Sequence, residues 1–117
     1  QCGKYLVPYF YGRENETVFL LCLDAKCKVL GCKLVGEGSV NSANIPVRRV
    51  VEMALQANAT TVVLAHNHPH GLACPTMEDR VATQKYCELL ESAGIQLVEH
   101  FVVARDKAFP MLKHAEK

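Results

Sequence analysis

The sequence has no block of like charges. Its 13 lysine and arginine residues are balanced by 12 aspartates and glutamates, which gives a formal net charge of +1 at pH 7. The sequence also lacks a basic stripe with interleaved aromatic residues, which is typical of surfaces that bind nucleic acid. We therefore expect no membrane partner, and we expect nucleic acid to bind only if regions outside this chain supply the surface.

Long hydrophobic runs are absent as well. The apolar stretch at residues 62–65 is far too short to span a bilayer. The N-terminus has no basic segment followed by an apolar one, as a secretory signal would have. These absences predict a cytoplasmic protein. Because the chain begins at Gln1 rather than at a methionine, we expect it to be a domain excised from something longer.

No C-x-x-C pair occurs among the six cysteines, although such pairs are typical of structural zinc sites and redox motifs. Half of the residues are hydrophobic, so the core needs no disulfide bridges. We expect reduced, largely buried thiols. The six are Cys2, Cys22, Cys27, Cys32, Cys74 and Cys87.

The chain has enough apolar residue for one core, and its 117 residues predict a single domain over 1–117. Hydrophobic patterning predicts strands at 18–24, 27–35, 61–65 and 95–104, and helices at 47–58 and 76–93. Cap-type residues at 42–46 precede the first helix, Gly94 ends the second, and a glycine-rich break lies at 36–39. This order predicts an α/β domain with a mixed β-sheet flanked by helices.

The end of the third predicted strand carries two histidines separated by one residue. Alternate residues of a strand face the same side, so His66 and His68 can turn their ring nitrogens toward one point. Zinc binds histidine nitrogens at about 2.0–2.1 Å, which makes such a pair a natural half-site. Taken singly, each histidine is more often a satisfied or exposed side chain than a ligand.

Asp79 is expected in the first turn of the following helix. It falls close to the apolar stripe of that helix, so its carboxylate is predicted to point inward, where it needs a partner or a metal ion. The pair Thr76-x-x-Asp79 is also close to a helix capping box, which would give both residues a purely structural role. Together with His66 and His68, the pattern favours a metal site.

The spacing His66-x-His68, seven residues, Thr76, two residues, Asp79 resembles the JAMM (MPN+) metalloprotease motif. Further segments resemble the RadC branch of that superfamily, and the likeness covers nearly the whole chain. These segments are LAHNHPHG at 64–71, the Glu99-His100 pair, the strand at 16–24 and the Gly38-Ser39 pair.

The resemblance implies a cytidine-deaminase-like (JAB/MPN) α/β sandwich with one catalytic zinc per chain. The ligands it implies are His66, His68 and Asp79, with a water in the fourth position. It also implies that the zinc helps to hydrolyse an amide or isopeptide bond in a peptide substrate.

The same resemblance assigns the general base to Glu16. It implies that the Thr76 hydroxyl donates a hydrogen bond to the developing oxyanion. From the residues alone, Glu16 is only a solvated glutamate beside Glu14. Glu37 stays open as an alternative base.

The chain departs from the RadC pattern at several positions. His70 and Thr76 stand where serines are usual, the loop at 72–74 is less polar than usual, and Lys33 falls near a usual glutamate. These departures leave open a non-catalytic MPN-like scaffold that keeps the fold without the activity.

Other polar residues near the motif are expected to have supporting roles. His100 is expected beside the metal ligands or in the core. Asn67 is expected to satisfy loop backbone and His70 to be an exposed loop residue. Cys74 is expected to be incidental to the site, and the arginines at 48–49 to form the exposed face of a helix.

Two other classes are excluded by motif, and one stays open. A zinc nucleoside deaminase needs H-x-E and P-C-x-x-C, which this sequence lacks. The contiguous string at 66–68 is not the dispersed motif of HNH nucleases. A nucleic-acid-binding module stays open because RadC-like proteins carry a DNA-repair name, and salt-dependent DNA binding would favour it.

Overall fold

The computed structural model describes residues 2–40, 42–71 and 74–112. Part of the predicted loop, residues 72 and 73, lies outside that description. In chain order the elements are α1 (Cys2–Leu6), a 3-10 helix (Val7–Phe10), β1 (Thr17–Leu23), β2 (Val29–Glu37), α2 (Val47–Gln56), β3 (Thr61–Asn67), α3 (Met77–Ser92), β4 (Gln96–Ala104) and β5 (Lys107–Pro110).

The strands form one mixed sheet in the order β2-β1-β3-β4-β5. β3 and β4 are parallel, whereas the other neighbouring pairs are antiparallel. A parallel pair needs a crossover connection, and α3 supplies it. This arrangement confirms the predicted α/β class with a mixed sheet and flanking helices.

β1 and β3 are buried on both faces because each lies between two other strands and both faces of the sheet are covered. Every residue of β1 is buried, as are the last six of β3. Leu20 and Leu64 face the core formed with α2 and α3. Phe19 and Ala65 face the core formed with α1 and the 3-10 helix. This two-sided cover explains why both strands are apolar almost throughout.

β2 begins two residues later than predicted because a tight turn occupies the preceding residues. The carboxylate of Asp24 accepts hydrogen bonds from the backbone N–H groups of Lys26 and Lys28, both at 2.8 Å. Cys27 adopts a φ of 63°, in the left-handed region. Aspartate is suited to such turns because its side chain bonds to the backbone just ahead of it.

The break predicted at 36–39 begins only at Gly38. Gly36 and Glu37 remain paired with β1. Gly38 has a φ of 138°, and a Cβ at this position would lie 2.8 Å from Oγ of Ser42. The strand therefore ends where both the backbone conformation and the close approach require glycine.

The start of α2 differs from the prediction that residues 42–46 supply a side-chain cap. Its N-cap is Pro46 and has no side-chain cap hydrogen bond. Ser42 instead donates its hydroxyl to the carbonyl of Ser39. Arg49 donates from Nη1 to the carbonyl of Val35 at 3.0 Å. This arginine ties α2 to β2, and both Arg48 and Arg49 are exposed, as expected for the outer face of a helix.

Three short elements were not predicted, namely α1, the 3-10 helix and β5. Each has five residues or fewer, which is too short for hydrophobic periodicity to identify it. β5 contains Pro110 and forms an edge of the sheet, where a missing N–H is tolerated. No helix within the described part of the chain is long and apolar enough to cross a membrane.

Five of the six cysteines have described side chains, and all five are free thiols. Cys22 is buried, Cys32 and Cys87 are partly buried, and Cys27 and Cys74 are exposed. The expectation of largely buried thiols is therefore wrong for the last two, because they lie in connections rather than in strands or helices.

Candidate metal centre

The end of β3 carries two histidine side chains that face α3. His66 pairs with Val18 of β1 and is fully buried. His68 follows directly after β3, and its N–H donates to the carbonyl of Val103 at 2.9 Å, so the strand geometry continues through it. The two Nε2 atoms are 3.3 Å apart. Strand alternation has brought both rings to one point, as predicted.

Asp79 reaches the same point from the first turn of α3. It is only 6% exposed, with Oδ1 at 3.3 Å from Nε2 of His66 and Oδ2 at 3.1 Å from Nε2 of His68. Thr76 caps α3. Its hydroxyl oxygen accepts the N–H of Asp79, and Oδ2 of Asp79 accepts the N–H of Thr76, each at 3.0 Å. The capping box and the inward carboxylate are both present, and the cap sets the direction of the carboxylate.

The facing atoms have the spacing that a tetrahedral metal ion requires. Ligands at about 2.0–2.1 Å from zinc in tetrahedral geometry lie about 3.3 Å from one another. The separations here are 3.1 and 3.3 Å, and one ligand atom from each residue lies within 4.8 Å of the others. Imidazole nitrogens and a carboxylate oxygen are donors that zinc accepts. His66, His68 and Asp79 can therefore hold a metal ion.

The carboxylate of Asp79 is held in its charged form. Burial alone would raise the pKa of Asp79, but the contact with His66, the hydrogen bond from the Thr76 backbone and the proximity of His68 outweigh it and hold the pKa well below its usual range. Metal ligands must be deprotonated to bind a cation, and the charged carboxylate of Asp79 meets that requirement.

A second buried histidine lies behind His66. His100 of β4 is fully buried, and its Nε2 is 2.8 Å from Nδ1 of His66. Burial lowers the pKa of His100 well below its usual range, so the ring is neutral at pH 7. Thr83 of α3 lies on its other side, with Oγ1 at 2.5 Å from Nδ1 of His100. Thr83 was not predicted as part of this site. The available signal was its position four residues after Asp79, which places both on the same face of α3.

Glu16 directly precedes β1 at the opening of the same centre. The antiparallel register of β1 and β3 pairs Val18 with His66, and extending it by two residues sets Glu16 opposite His68. A cavity of about 430 Å³ has Glu16, His68, His70 and Thr76 in its lining. The structure therefore brings Glu16 and Thr76 into one cleft with a candidate metal ligand.

Glu37, the alternative base, has a different environment. Its carboxylate is 4.0 Å from the guanidinium of Arg13, and its side chain is 57% exposed. Glu37 is not among the described residues that line the cavity. Of the two candidate carboxylates, Glu16 is therefore the one that lines this cavity. His70 is exposed, as expected of a loop residue.

The sheet topology and the convergence of a strand end with a helix start define the class of this domain. It is a JAB/MPN-type α/β domain with a His-His-Asp group that can hold a metal ion. The chain belongs to the RadC-like JAB domain family, whose model matches residues 1–116. The match confirms the resemblance that the motif spacing indicated.

Curated relatives of this chain are UPF0758 proteins. One from Acinetobacter baylyi is 34% identical over 111 residues, which cover 95% of this chain and 41% of the relative. One from Ectopseudomonas mendocina is 36% identical over 107 residues, which cover 92% of this chain and 48% of the relative. One from Vibrio cholerae is 37% identical over 103 residues, which cover 88% of this chain and 46% of the relative. The chain spans less than half the length of these relatives, and their names state no activity.

Proposed function

We propose that this domain is a zinc-dependent hydrolase of the JAMM type that cleaves an amide or isopeptide bond in a peptide substrate. The observation that carries the proposal is the approach of the Asp79 carboxylate and the two Nε2 atoms of His66 and His68 to 3.1–3.3 Å. Three protein ligands are typical of catalytic zinc sites, whereas structural sites take four. The three-residue donor set beside an open cleft supports the catalytic class.

The three candidate ligands have complementary tasks in this proposal. Zinc, when bound, supplies the Lewis acidity that makes a water acidic and polarises a carbonyl. Asp79 contributes a full negative charge, and its capping bonds keep the carboxylate directed inward. His66 and His68 contribute imidazole nitrogens from the end of a strand whose backbone is hydrogen-bonded on both sides.

Glu16 acts as the general base. Its carboxylate takes a proton from the attacking water and passes it to the leaving amine, so that Glu16 returns to its charged form after each turnover. Its partial burial and its place in the cavity with His68 support this role. The carbonyl of Glu16 accepts the N–H of Gly38 at 2.8 Å, which anchors its backbone.

Thr76 donates a hydrogen bond to the substrate oxygen on which negative charge develops. Its hydroxyl oxygen accepts the N–H of Asp79, which uses a lone pair and leaves the hydroxyl proton for a substrate. The cap also orients the hydroxyl before substrate arrives. Donors of this kind contribute about 10²- to 10³-fold to kcat.

Zinc content tests the ligand assignment. The wild-type chain is expected to bind one equivalent of zinc, measured by elemental analysis after dialysis. His68→Ala should lose that zinc. His70→Ala is the matched control, because it removes an imidazole from the lining of the same cavity and should keep the zinc. Full zinc content in His68→Ala would rule out the assignment.

Hydrolysis of peptide and isopeptide substrates tests the reaction. Glu16→Gln should keep the zinc and lose turnover, whereas Glu14→Gln removes a carboxylate from the same cavity and should retain turnover. Loss of turnover in Glu37→Gln but not in Glu16→Gln would assign the base to Glu37. A chain that binds zinc but cleaves no peptide or isopeptide bond would favour the non-catalytic scaffold.

A further inference from the structure

A chain of buried polar groups connects β3 to α3 behind the metal centre. Nδ1 of His66 lies 2.8 Å from Nε2 of His100, and Nδ1 of His100 lies 2.5 Å from Oγ1 of Thr83. Oγ1 of Thr83 lies 2.7 Å from the backbone carbonyl of Asp79. The series begins and ends on residues of the candidate metal site, and all four residues are buried.

The direction of every hydrogen bond in this series follows from the last acceptor, the backbone carbonyl of Asp79. A carbonyl oxygen only accepts, so the 2.7 Å contact with Asp79 requires the hydroxyl proton of Thr83. That hydroxyl has one proton, and Oγ1 must therefore accept from Nδ1–H of His100. A neutral imidazole carries one N–H, so Nε2 of His100 has a lone pair and accepts from Nδ1–H of His66.

The reverse direction is unfavourable. If His100 carried its proton on Nε2, its Nδ1 would need the hydroxyl proton of Thr83. Two oxygen atoms would then face each other at 2.7 Å between Thr83 and Asp79 with no proton between them. The weak contact of Oγ1 with the sulfur of Met111 at 3.8 Å would not compensate.

From this geometry we propose that Thr83 and His100 are positioning residues that hold His66 as an Nδ1–H donor and so make Nε2 the atom it presents to the metal. The inference rests on the proposed metal site and adds the pair that orients one of its ligands. A ligand histidine whose second nitrogen donates to a fixed acceptor has a fixed ring orientation and tautomer. Because the series returns to the backbone of Asp79, it also links a ligand from β3 to the ligand from α3.

The tautomer of His100 in the metal-free wild-type chain is the first test. Long-range ¹H–¹⁵N correlation spectra of protein with ¹⁵N-labelled histidine distinguish a protonated ring nitrogen from a bare one. We expect a proton on Nδ1 of His100 and none on its Nε2. A proton on Nε2 would overturn the inference. This measurement needs no variant, so it decides the point even if a substitution prevents folding.

A matched pair at Thr83 supplies the second test. Thr83→Val keeps the shape but removes the acceptor for His100, so we expect His100 to shift toward the Nε2–H tautomer and zinc affinity to fall about 10- to 100-fold. Thr83→Ser keeps the hydroxyl and should restore both. Unchanged tautomer and affinity in Thr83→Val would overturn the inference. So would a loss of affinity without a change of tautomer, because a merely structural role would produce that result.

The two proposals fail in different ways. A wild-type chain that binds no zinc would overturn the proposed function, while the tautomer of His100 would still decide the direction of the hydrogen bonds. A chain that binds zinc and hydrolyses its substrate, but whose affinity and His100 tautomer do not respond to Thr83→Val, would overturn only the positioning role.

Discussion

The side-chain oxygen of Asn67 accepts a hydrogen bond from the backbone N–H of Thr17 at 2.7 Å. Asn67 lies between the two candidate ligand histidines, and Thr17 directly follows Glu16. The Nδ2 group of Asn67 lies 3.4 Å from the carbonyl of Asn15, so the amide contacts the backbone on both sides of Glu16. The bond therefore couples the position of the proposed base to the end of β3 that carries the candidate metal ligands.

Asn67→Ala is expected to separate base positioning from metal binding. Loss of the amide leaves the N–H of Thr17 unpaired in a buried position, which should lower the free energy of unfolding by about 1–3 kcal/mol. We expect kcat to fall while zinc content stays at one equivalent, because neither His66 nor His68 is changed. Steady-state kinetics and elemental analysis on the same preparation measure both.

Gln84→Ala is the matched control for Asn67→Ala. Gln84 carries the same amide, which bonds to Glu88 on an exposed face of α3. Its removal should leave both kcat and zinc content at wild-type values. If Asn67→Ala keeps full kcat, Glu16 does not depend on this bond. If Asn67→Ala loses zinc, the bond supports the ligands instead.

Thr76→Val is expected to have two effects of different origin. It removes the N-cap acceptor of α3, which should lower the free energy of unfolding by about 1 kcal/mol. It also removes the proposed oxyanion donor, which should lower kcat by about 10²- to 10³-fold. Thermal or urea unfolding gives the first quantity and kinetics at saturating substrate gives the second.

Thr76→Ser distinguishes these effects from a change in shape. Serine keeps the hydroxyl, so it should recover the cap and most of the lost kcat. A Thr76→Val variant that loses stability while keeping wild-type kcat would show that this residue is only a helix cap.

Tyr86→Phe is expected to flatten the alkaline unfolding curve. Burial raises the pKa of Tyr86 to about 12, above its ordinary value of about 10. The folded state holds a proton that the unfolded chain releases, so this contribution to stability is complete below about pH 10 and is lost as the pH rises toward 12. The hydroxyl donates to the carbonyl of Val40 at 3.0 Å, and its removal should also cost about 1 kcal/mol at pH 7.

Urea unfolding at pH values from 7 to 12 measures the change caused by Tyr86→Phe. Tyr11 is 64% exposed, so Tyr11→Phe is the control and should match the wild type over that range. An unchanged alkaline slope in Tyr86→Phe would assign the loss of stability at high pH to other groups.

Gly38→Ala is expected to destabilise the end of β2. The new Cβ would lie 2.8 Å from Oγ of Ser42 and would force a side chain into a φ of 138°. We expect a loss of about 1–3 kcal/mol in the free energy of unfolding. Gly31→Ala is the control, because the nearest atom to its new Cβ is the flexible end of Lys33 at 3.8 Å. Equal effects of the two substitutions would contradict the steric explanation.

Several features of the fold follow from near neighbours in the chain and were predictable for that reason. The apolar runs of β1 and β3 require cover on both faces. The cap at Thr76 and the stop at Gly94, which has a φ of 81°, set the ends of α3 within a residue of the prediction. The turn before β2 was misplaced because its left-handed residue is Cys27, which has no residue-type signal for that conformation.

The sequence by itself determined the strand that presents His66 and His68, the cap that directs Asp79 inward, and the resemblance to a metal-binding family. These depend on alternation, helical spacing and bonds between residues a few positions apart. Only the tertiary structure decided that Glu16 and His68 line one cavity and that His100 lies behind His66. Those contacts depend on strand order and register, which are set by the packing of the whole sheet rather than by any local pattern.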